Sequence, residues 1–123
     1  MRLARVCFAL LLATVVSVAQ IGTSTIVGRI TDPTSAVVAN VQVTVVDIAR
    51  NFTYSTVTNQ EGLYRVQSLP PGLFRVTLEA QGFKRFVRDN IDLRTGDTLA
   101  VDGVLQVGSV SESVEVSGAA QLL

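Results

Sequence analysis

The sequence contains no histidine and no tryptophan, and its single cysteine, Cys7, lies near the amino terminus. Histidine is the commonest general base, and histidine and cysteine are the commonest nitrogen and sulfur ligands of metals, so most metal centres and nucleophile–base pairs are excluded. Glycines also occur singly, without the clustered pattern of a phosphate-binding loop. We therefore expect a protein that is not an enzyme, with no catalytic residues, no cofactor and no bound metal.

The first twenty residues differ in character from the remainder of the chain. Arg2 and Arg5 precede a run of apolar and small residues over 6–16, and small residues at 17–19 match the pattern that a signal peptidase reads. This run is shorter than the about 20 residues that a membrane span requires. We predict a signal peptide over residues 1–19, whose removal also removes Cys7. The mature chain then has no disulfide, and its core alone must stabilise the fold.

The charge of the mature chain is mildly acidic. Once Arg2 and Arg5 leave with the signal peptide, eight basic residues remain against ten acidic ones. The local basic cluster of Lys84, Arg85 and Arg88 is too small to follow a phosphate backbone, so no nucleic acid is expected as a partner. We interpret this cluster as a solvated strand edge that resists pairing with other chains.

Short alternations of apolar and polar residues, separated by turn residues every eight to twelve positions, run through the mature chain. Such a pattern is typical of a small antiparallel β domain, and no window shows the spacing of three and four that indicates a helix. We predict an all-β fold, a seven-stranded antiparallel Greek-key β-sandwich, with a hairpin that joins the second and third strands. The predicted strands cover residues 25–31, 41–46, 52–58, 64–66, 73–80, 83–87 with an extension at 91–93, and 99–107.

Few side chains are candidates for binding. Asp89, Asp92 and Asp97 lie close in sequence, but their spacing matches no calcium loop, and we interpret them as ordinary polar loop residues. Most aromatic residues are in phase with aliphatic neighbours and are expected in the core. Phe52 and Phe86 are less clearly placed, and we predict them as possible ligand-contact aromatics.

Four blocks of the sequence together resemble the carboxypeptidase regulatory-like domain, over roughly residues 21–107. The resemblance implies a transthyretin-like, or prealbumin-like, seven-stranded sandwich of the starch-binding-like fold group, which is a non-catalytic domain. Ser35 and Asn40 stand where relatives commonly carry glycine, and asparagine tolerates positive φ. The four blocks are Gly28-Arg29-Ile30-Thr31-Asp32, Ala39-Asn40-Val41-Gln42-Val43-Thr44-Val45, Thr58-Asn59-Gln60-Glu61-Gly62-Leu63-Tyr64 and Leu69-Pro70-Pro71-Gly72-Leu73-Phe74-Arg75-Val76.

Two further segments, Thr31-Asp32-Pro33-Thr34 and residues 107–116, resemble the amino-terminal extension of TonB-dependent-receptor-like outer-membrane proteins. In those proteins a plug and a transmembrane barrel follow, so a truncated reading frame, a fragment and a free-standing domain are all open explanations of this chain. The predicted organisation is a signal peptide over 1–19, the β-sandwich domain over 20–108 and a tail or linker over 109–123.

The resemblance and the composition lead to one main functional hypothesis. We expect an exported structural or interaction module in the periplasm or at the outer membrane or cell surface, with a protein or glycan partner, in which the mature domain does not itself span the membrane. An exposed strand edge would be a suitable contact surface. The alternative is a carbohydrate-binding module. Hydrolysis of a purine-derived ring, a third possibility within the transthyretin-like fold, needs histidine chemistry that the chain lacks.

Overall fold

The computed structural model describes residues 22–109, 111–117 and 121–122, so the predicted signal peptide lies outside the described residues. The regular structure of the described residues is entirely β, in ten strands that form two packed sheets. Within these residues there is no helix long and apolar enough to cross a membrane. The strands are β1 (Ser24–Thr31), β2 (Gln42–Asp47), β3 (Phe52–Val57), β4 (Leu63–Leu69), β5 (Gly72–Glu79), β6 (Arg85–Leu93), β7 (Thr98–Ala100), β8 (Gly103–Val104), β9 (Ser113–Ser117) and β10 (Gln121–Leu122).

The two sheets form a sandwich between which the chain crosses repeatedly. Sheet 1 has the strand order β10-β7-β1-β4, and β8 pairs with β1 beyond the end of β7. Sheet 2 has the order β3-β2-β5-β6-β9. The predicted hairpin of the second and third strands is confirmed, because β2 and β3 pair in a continuous antiparallel register from Gln42↔Val57 to Asp47↔Phe52.

The core lies between the sheets and follows the predicted alternation closely. Successive side chains of a strand point to opposite faces, so residues two apart share a face. On β2 and β5 the inward residues are completely buried: Val43 and Val45 on one strand and Phe74, Val76 and Leu78 on the other. Each such side chain contributes about 1.5–3 kcal/mol when it leaves water. The remaining buried hydrophobic residues are Ile26, Ile30, Val41, Tyr64, Val66, Leu69, Phe86, Ile91, Leu93, Leu99, Val101 and Leu105.

A β-bulge in β4 changes which positions face the core. Val66 and Leu69 are both buried although they lie three residues apart, and their partners on β1, Ile26 and Ser24, lie only two apart. Ser68 has a positive φ of +60°, whereas residues of an ordinary strand have negative φ. The extra residue lets the chain bring Leu69 back to the inner face just before the turn at Pro70.

A second bulge makes β6 one long strand. The prediction of a strand over 83–87 with a separate extension at 91–93 is corrected to a single strand, Arg85–Leu93. Phe74 pairs with Ile91 whereas Val76 pairs with Arg88, so β6 holds one residue more than β5 in this interval. Asn90 accommodates the bulge with a φ of +57°. The alternation of inward and outward residues is interrupted here, because the bulge adds one residue between Phe86 and Ile91. Both side chains therefore face the core although they lie five residues apart.

The prediction of purely antiparallel sheets is wrong, because β1 pairs in parallel with β7 and β8, and β6 pairs in parallel with β9. The chain leaves sheet 2 after β6 and enters sheet 1 in the direction of β1.

The strand predicted over 99–107 is also divided. Between β7 and β8 the Arg29 backbone N–H donates to the Asp102 carboxylate at 2.8 Å instead of to a ladder carbonyl. Val107, expected to face inward, is 73% exposed and forms an isolated bridge with Phe83.

The described part of the predicted tail adds strands to both sheets. β9 runs beside β6 from Arg85↔Ser113 to Asp89↔Ser117, and β10 pairs antiparallel with β7. Val116 packs against the core from β9. The described residues of the predicted tail or linker over 109–123 thus pair with strands of both sheets.

The loop between β1 and β2 is held by side chains as well as by the backbone. The Asp32 carboxylate accepts the N–H groups of Thr34 and Ala36 at 2.9 and 3.1 Å, which is the turn chemistry that the sequence predicts. Ser35 and Asn40 both have positive φ, at 68° and 59°, as expected for positions where relatives carry glycine. At the far side of the loop, the buried Thr58 hydroxyl donates to the Val38 carbonyl at 2.8 Å and accepts the Val41 N–H at 3.0 Å.

Replacing Thr58 by valine should destabilise the fold by about 1–3 kcal/mol, because two buried backbone groups lose their partner while the side-chain volume is kept. Urea unfolding monitored by circular dichroism measures this change. The half-buried Thr56 on β3 is the matched control, and Thr56→Val should change stability by less than about 0.5 kcal/mol. Equal effects of the two substitutions would contradict the assigned role of the Thr58 hydroxyl.

An ion pair between the buried Asp47 and the exposed Arg50 closes the β2–β3 hairpin. Asp47 is completely buried, and its carboxylate accepts the Arg50 backbone N–H at 3.1 Å and the Arg50 guanidinium at 2.9 Å. Burial acts to raise the pKa of Asp47, but the hydrogen bonds and the charge of Arg50 outweigh it, so that the pKa lies below its usual value. The ionised form is therefore preferred in the folded state.

The lowered pKa of Asp47 predicts a stability contribution that is present above the unfolded pKa of about 3.9 and is lost as the pH falls through the lower folded value. Asp47→Asn should therefore destabilise the protein most near neutral pH, and the difference from the parent should shrink below about pH 4. Urea unfolding between neutral and acid pH tests this. Asp92→Asn, at an exposed carboxylate on β6, serves as the control and should produce no comparable loss. A constant difference for Asp47→Asn at every pH would refute the role of ionisation.

Candidate functional site: an unguarded strand edge and an adjoining groove

The edge of sheet 2 formed by β3 lacks the usual protection against pairing. β3 contacts β2 in an unbroken six-residue register and is the terminal strand of its sheet. Its sequence, Phe-Thr-Tyr-Ser-Thr-Val, contains neither charge nor proline, and its residues are β-branched, aromatic or small. Natural proteins blunt such edges with charges, proline or bulges, so β3 presents a flat row of backbone groups suited to another strand.

The edge of sheet 1 formed by β4 is protected by contrast. Arg65 lies in the middle of the strand, the bulge at Ser68 breaks its register, and Pro70 and Pro71 follow directly. Each of these features discourages pairing along an edge. The difference between the two neighbouring edges identifies β3 as the better contact surface.

Aromatic side chains accompany the β3 edge. Phe52 is 57% exposed and meets Tyr54 edge to face, with 4.9 Å between ring centroids and an interplanar angle of 63°. Phe52, one of the two predicted ligand-contact aromatics, is therefore accessible. Phe86, the other predicted ligand-contact aromatic, is only 6% exposed, because position 86 lies on the inward face of β6.

A groove of about 590 Å³ lies on the outer face of sheet 1 and reaches the end of β3. Its apolar floor comes from Val27, Leu63 and Ala100, on three adjacent strands, and Val57 extends it to β3. The charged and amide side chains of its lining are Arg29, Asn59, Arg65 and Asp102. The groove is open and apolar with charged margins, which suits a contact with another polypeptide.

Beneath this groove, the Tyr64 ring and the Val101 carbonyl oxygen lie close to the backbone of Gly28. The Tyr64 hydroxyl donates to the Val101 carbonyl at 2.6 Å, and burial, aided by the charge of Asp102, raises the pKa of Tyr64 far above its ordinary value. A Cβ at position 28 would collide with both the Val101 carbonyl oxygen and the Tyr64 ring. Because Gly28 has no Cβ, the Tyr64 side chain of β4 can pass beneath β1 and reach the Val101 carbonyl, which follows β7.

The acidic residues considered as a calcium or hydrolase site do not come together. Asp89 pairs with Arg75 at 2.9 Å, and Asp97 accepts the Arg94 backbone N–H at 3.1 Å. Nowhere in the described part of the chain do three or more acidic, histidine or cysteine side chains gather as metal ligands. In the basic cluster, Lys84 pairs with Glu112 at 3.2 Å and Arg85 with Glu79 at 3.3 Å.

Comparison with known proteins identifies the family. The family model of the carboxypeptidase regulatory-like domain matches residues 25–106. The chain belongs to this family. It is also 35% identical over 97 residues to the TonB-dependent transporter Oar of Myxococcus xanthus, an alignment that covers 78% of this chain and 9% of the transporter. The carboxypeptidase regulatory-like domain thus corresponds to a small part of that larger protein.

Solved structures share the fold at low sequence identity. The TIE protein of Bacillus anthracis matches with a TM-score of 0.60 and 19% identity, over 70% of this chain and 17% of that protein. Hydroxyquinol 1,2-dioxygenase of Pseudomonas putida matches with a TM-score of 0.59 and 10% identity, over 74% of this chain and 58% of the enzyme. At such identities these likenesses show the β-sandwich fold alone.

Sequence reasoning missed two features of this region. The sequence does not show which strands lie at the edges of the sheets, so it did not reveal that β3 is an edge strand without charge or proline. The interpretation of Arg88 as part of a solvated edge overlooked that it lies two residues after Phe86, on the inward face of β6. The signal that could have found this is the period of two along the strand, which puts positions 86 and 88 on the same face.

Replacing Gly28 by alanine should destabilise the domain by about 1–3 kcal/mol, because the new methyl group forces Tyr64 or the Val101 carbonyl to move. Thermal or urea unfolding gives the magnitude, and the Tyr64 ring signals in an NMR spectrum report the displacement. Thr25→Ala, on the same strand at a half-buried outward position, is the control and should cost less than about 1 kcal/mol. A Gly28→Ala variant with parent stability and unshifted Tyr64 signals would rule out the close approach.

Proposed function

We propose that this protein is an exported, non-catalytic interaction module of an outer-membrane receptor-like protein, and that it acts by pairing the β3 edge with an extended segment of a partner protein. The observation that carries the proposal is the free β3 edge, with six residues that have neither charge nor proline. Pairing along such an edge supplies main-chain hydrogen bonds, and flanking side-chain contacts supply specificity. Phe52 and the groove beside Val57 provide those contacts.

The relative and the predicted signal peptide both support the proposed cellular location. Similarity to a TonB-dependent transporter supports a place in the periplasm or at the outer membrane. The absence of histidine from the sequence, together with the unclustered carboxylates of the described residues, supports a role in contact and not in catalysis. The dioxygenase likeness adds no enzymatic argument, because it rests on the fold at 10% identity.

An exchange of domains tests the proposal. The matching segment of the Myxococcus xanthus transporter is deleted or replaced by residues 22–117 of this chain, and the amount of transporter recovered in the outer membrane is measured. Deletion should reduce that amount and replacement should restore it. Thr53→Lys with Ser55→Lys, at exposed outward positions of β3, should abolish the restoration by adding edge charges.

The control adds the same charge at other exposed positions, through Gln42→Lys on β2 and Gln67→Lys on β4. This variant should restore the transporter as well as the parent domain does. Failure of the parent domain to restore an amount that deletion lowers would overturn the proposed module function. Equal restoration by the β3 and control variants would refute the assignment to the β3 edge.

Carbohydrate binding is the second candidate function, and the observation that favours it is the exposed Phe52 ring, which meets the half-buried Tyr54 ring edge to face. Exposed rings stack on the apolar faces of sugars, whereas the buried Phe86 offers no comparable ring face. A glycan array probed with the parent protein and with Phe52→Ala tests this function. Binding that disappears in the variant supports it, and a blank array, or binding that survives the substitution, rejects it.

A further inference from the structure

A second groove, of about 440 Å³, lies on the flank of the sandwich where β8 of sheet 1 faces β6 and β9 of sheet 2. We call it the flank groove. Val104 lies on one wall, and Val114 and Val116 on the other, so much of the lining is apolar. Its volume falls within the range of small-ligand pockets. The charged and polar residues of the lining are Arg29, Thr31, Arg88, Asp102 and Gln106.

Arg88 is an unusual member of this lining. It pairs in register with Val116, directly after the buried Phe86 on the same inward face of β6, and is itself half-buried. Its Nε is withdrawn from solvent and has no hydrogen-bond partner in the described structure. A guanidinium stays charged at all ordinary pH values, and a charge held against an apolar wall is costly unless it is paired.

Three other cations on this side of the molecule are already paired. Arg75, Lys84 and Arg85 each contact a carboxylate within 3.3 Å. Among residues 22–109 and 111–117, Arg88 makes no such ion pair, although neighbouring strands supply three. Arg88 thus brings a positive charge to the flank groove without a protein carboxylate to neutralise it.

The charges of the flank groove sum to one positive charge. Arg29 and Arg88 contribute two, and Asp102 contributes one negative charge, while its Oδ1 already accepts the Arg29 backbone N–H at 2.8 Å. A ligand with a single negative charge would leave the flank groove neutral.

We propose that the flank groove binds a carboxylate carried on an aliphatic stem, with the carboxylate beside Arg88 and Arg29 and the stem against Val104, Val114 and Val116. Planar guanidinium groups recognise carboxylates through paired hydrogen bonds. A monoanion matches the net charge, whereas a phosphate dianion would leave excess negative charge next to Asp102. The same chemistry is offered by a free aliphatic carboxylate and by the glutamate side chain of a peptide. This site shares Arg29 and Asp102 with the groove beside Val57, but it does not include the β3 edge and does not depend on the function proposed for that edge.

Nuclear magnetic resonance titration of the full chain tests the proposal. The probes are hexanoate, its neutral counterpart hexanamide, and the blocked peptide acetyl-Val-Glu-Val-amide. Hexanoate, the peptide or both should shift the Arg88 Nε–H signal and the amide signals of Val114 and Val116, and hexanamide should bind at least about tenfold more weakly, as expected for the loss of a charge-assisted hydrogen bond. Hexanoate binding alone identifies a free carboxylate as the ligand, and peptide binding alone identifies an acidic peptide.

Variants assign the binding to this groove. Arg88→Met should weaken binding about tenfold or more, and Asp102→Asn should tighten it, because the repelling charge is removed while an oxygen remains to accept the Arg29 N–H. Arg94→Met removes an exposed charge outside both grooves and should leave the affinity unchanged. Equal affinity for hexanoate and hexanamide, binding that survives in a folded Arg88→Met protein, or no binding of either anion would each overturn the proposal. The comparison of hexanoate with hexanamide uses the parent protein and so remains decisive if Arg88→Met does not fold.

Discussion

The mutual burial of β2 and β5 against the strands of sheet 1 is the interaction on which the other features of this protein depend. These two strands hold five completely buried large side chains between them, and no disulfide is available to a chain whose single cysteine is Cys7. A domain of this size can be held by its core alone only if that core is continuous. The bulges at Ser68 and Asn90 preserve that continuity, because each returns a strand to the inward phase after its register has shifted.

The same constraint explains why the edges of the sandwich differ. Residues of a central strand are fixed by packing on both sides, whereas an edge strand can carry protective charges, proline or a bulge without loss to the core. β4 carries a charge within the strand, a bulge near its end and two prolines directly after it, and β3 carries none of these features. Since Thr53 and Ser55 are exposed, charges there would have cost the core nothing. The uncharged β3 edge is therefore consistent with the contact function proposed for it.

The flank groove arises from the way the last strands complete the two sheets. β9 adds to sheet 2 in parallel with β6, and β8 adds to sheet 1 in parallel with β1, so the inward faces of Val114, Val116 and Arg88 meet the short β8 instead of a long strand. Because β8 is much shorter than β6 and β9, the Arg88 guanidinium is left between apolar walls. A family built on one sandwich can thus carry contact surfaces on separate flanks without any change to its core.

The sequence by itself determined the all-β class, the β2–β3 hairpin, the inward residues of β2 and β5 and the family, because alternation and turn residues act locally along the chain. It also indicated positive φ at Asn40 and the side-chain turn at Asp32. Only the tertiary structure decided the parallel pairings, the phase shifts at the bulges, the burial of Phe86 and the inward position of Arg88. Strand neighbours and sheet edges are set by contacts between residues far apart in the chain, and no local pattern encodes which strand lies beside which.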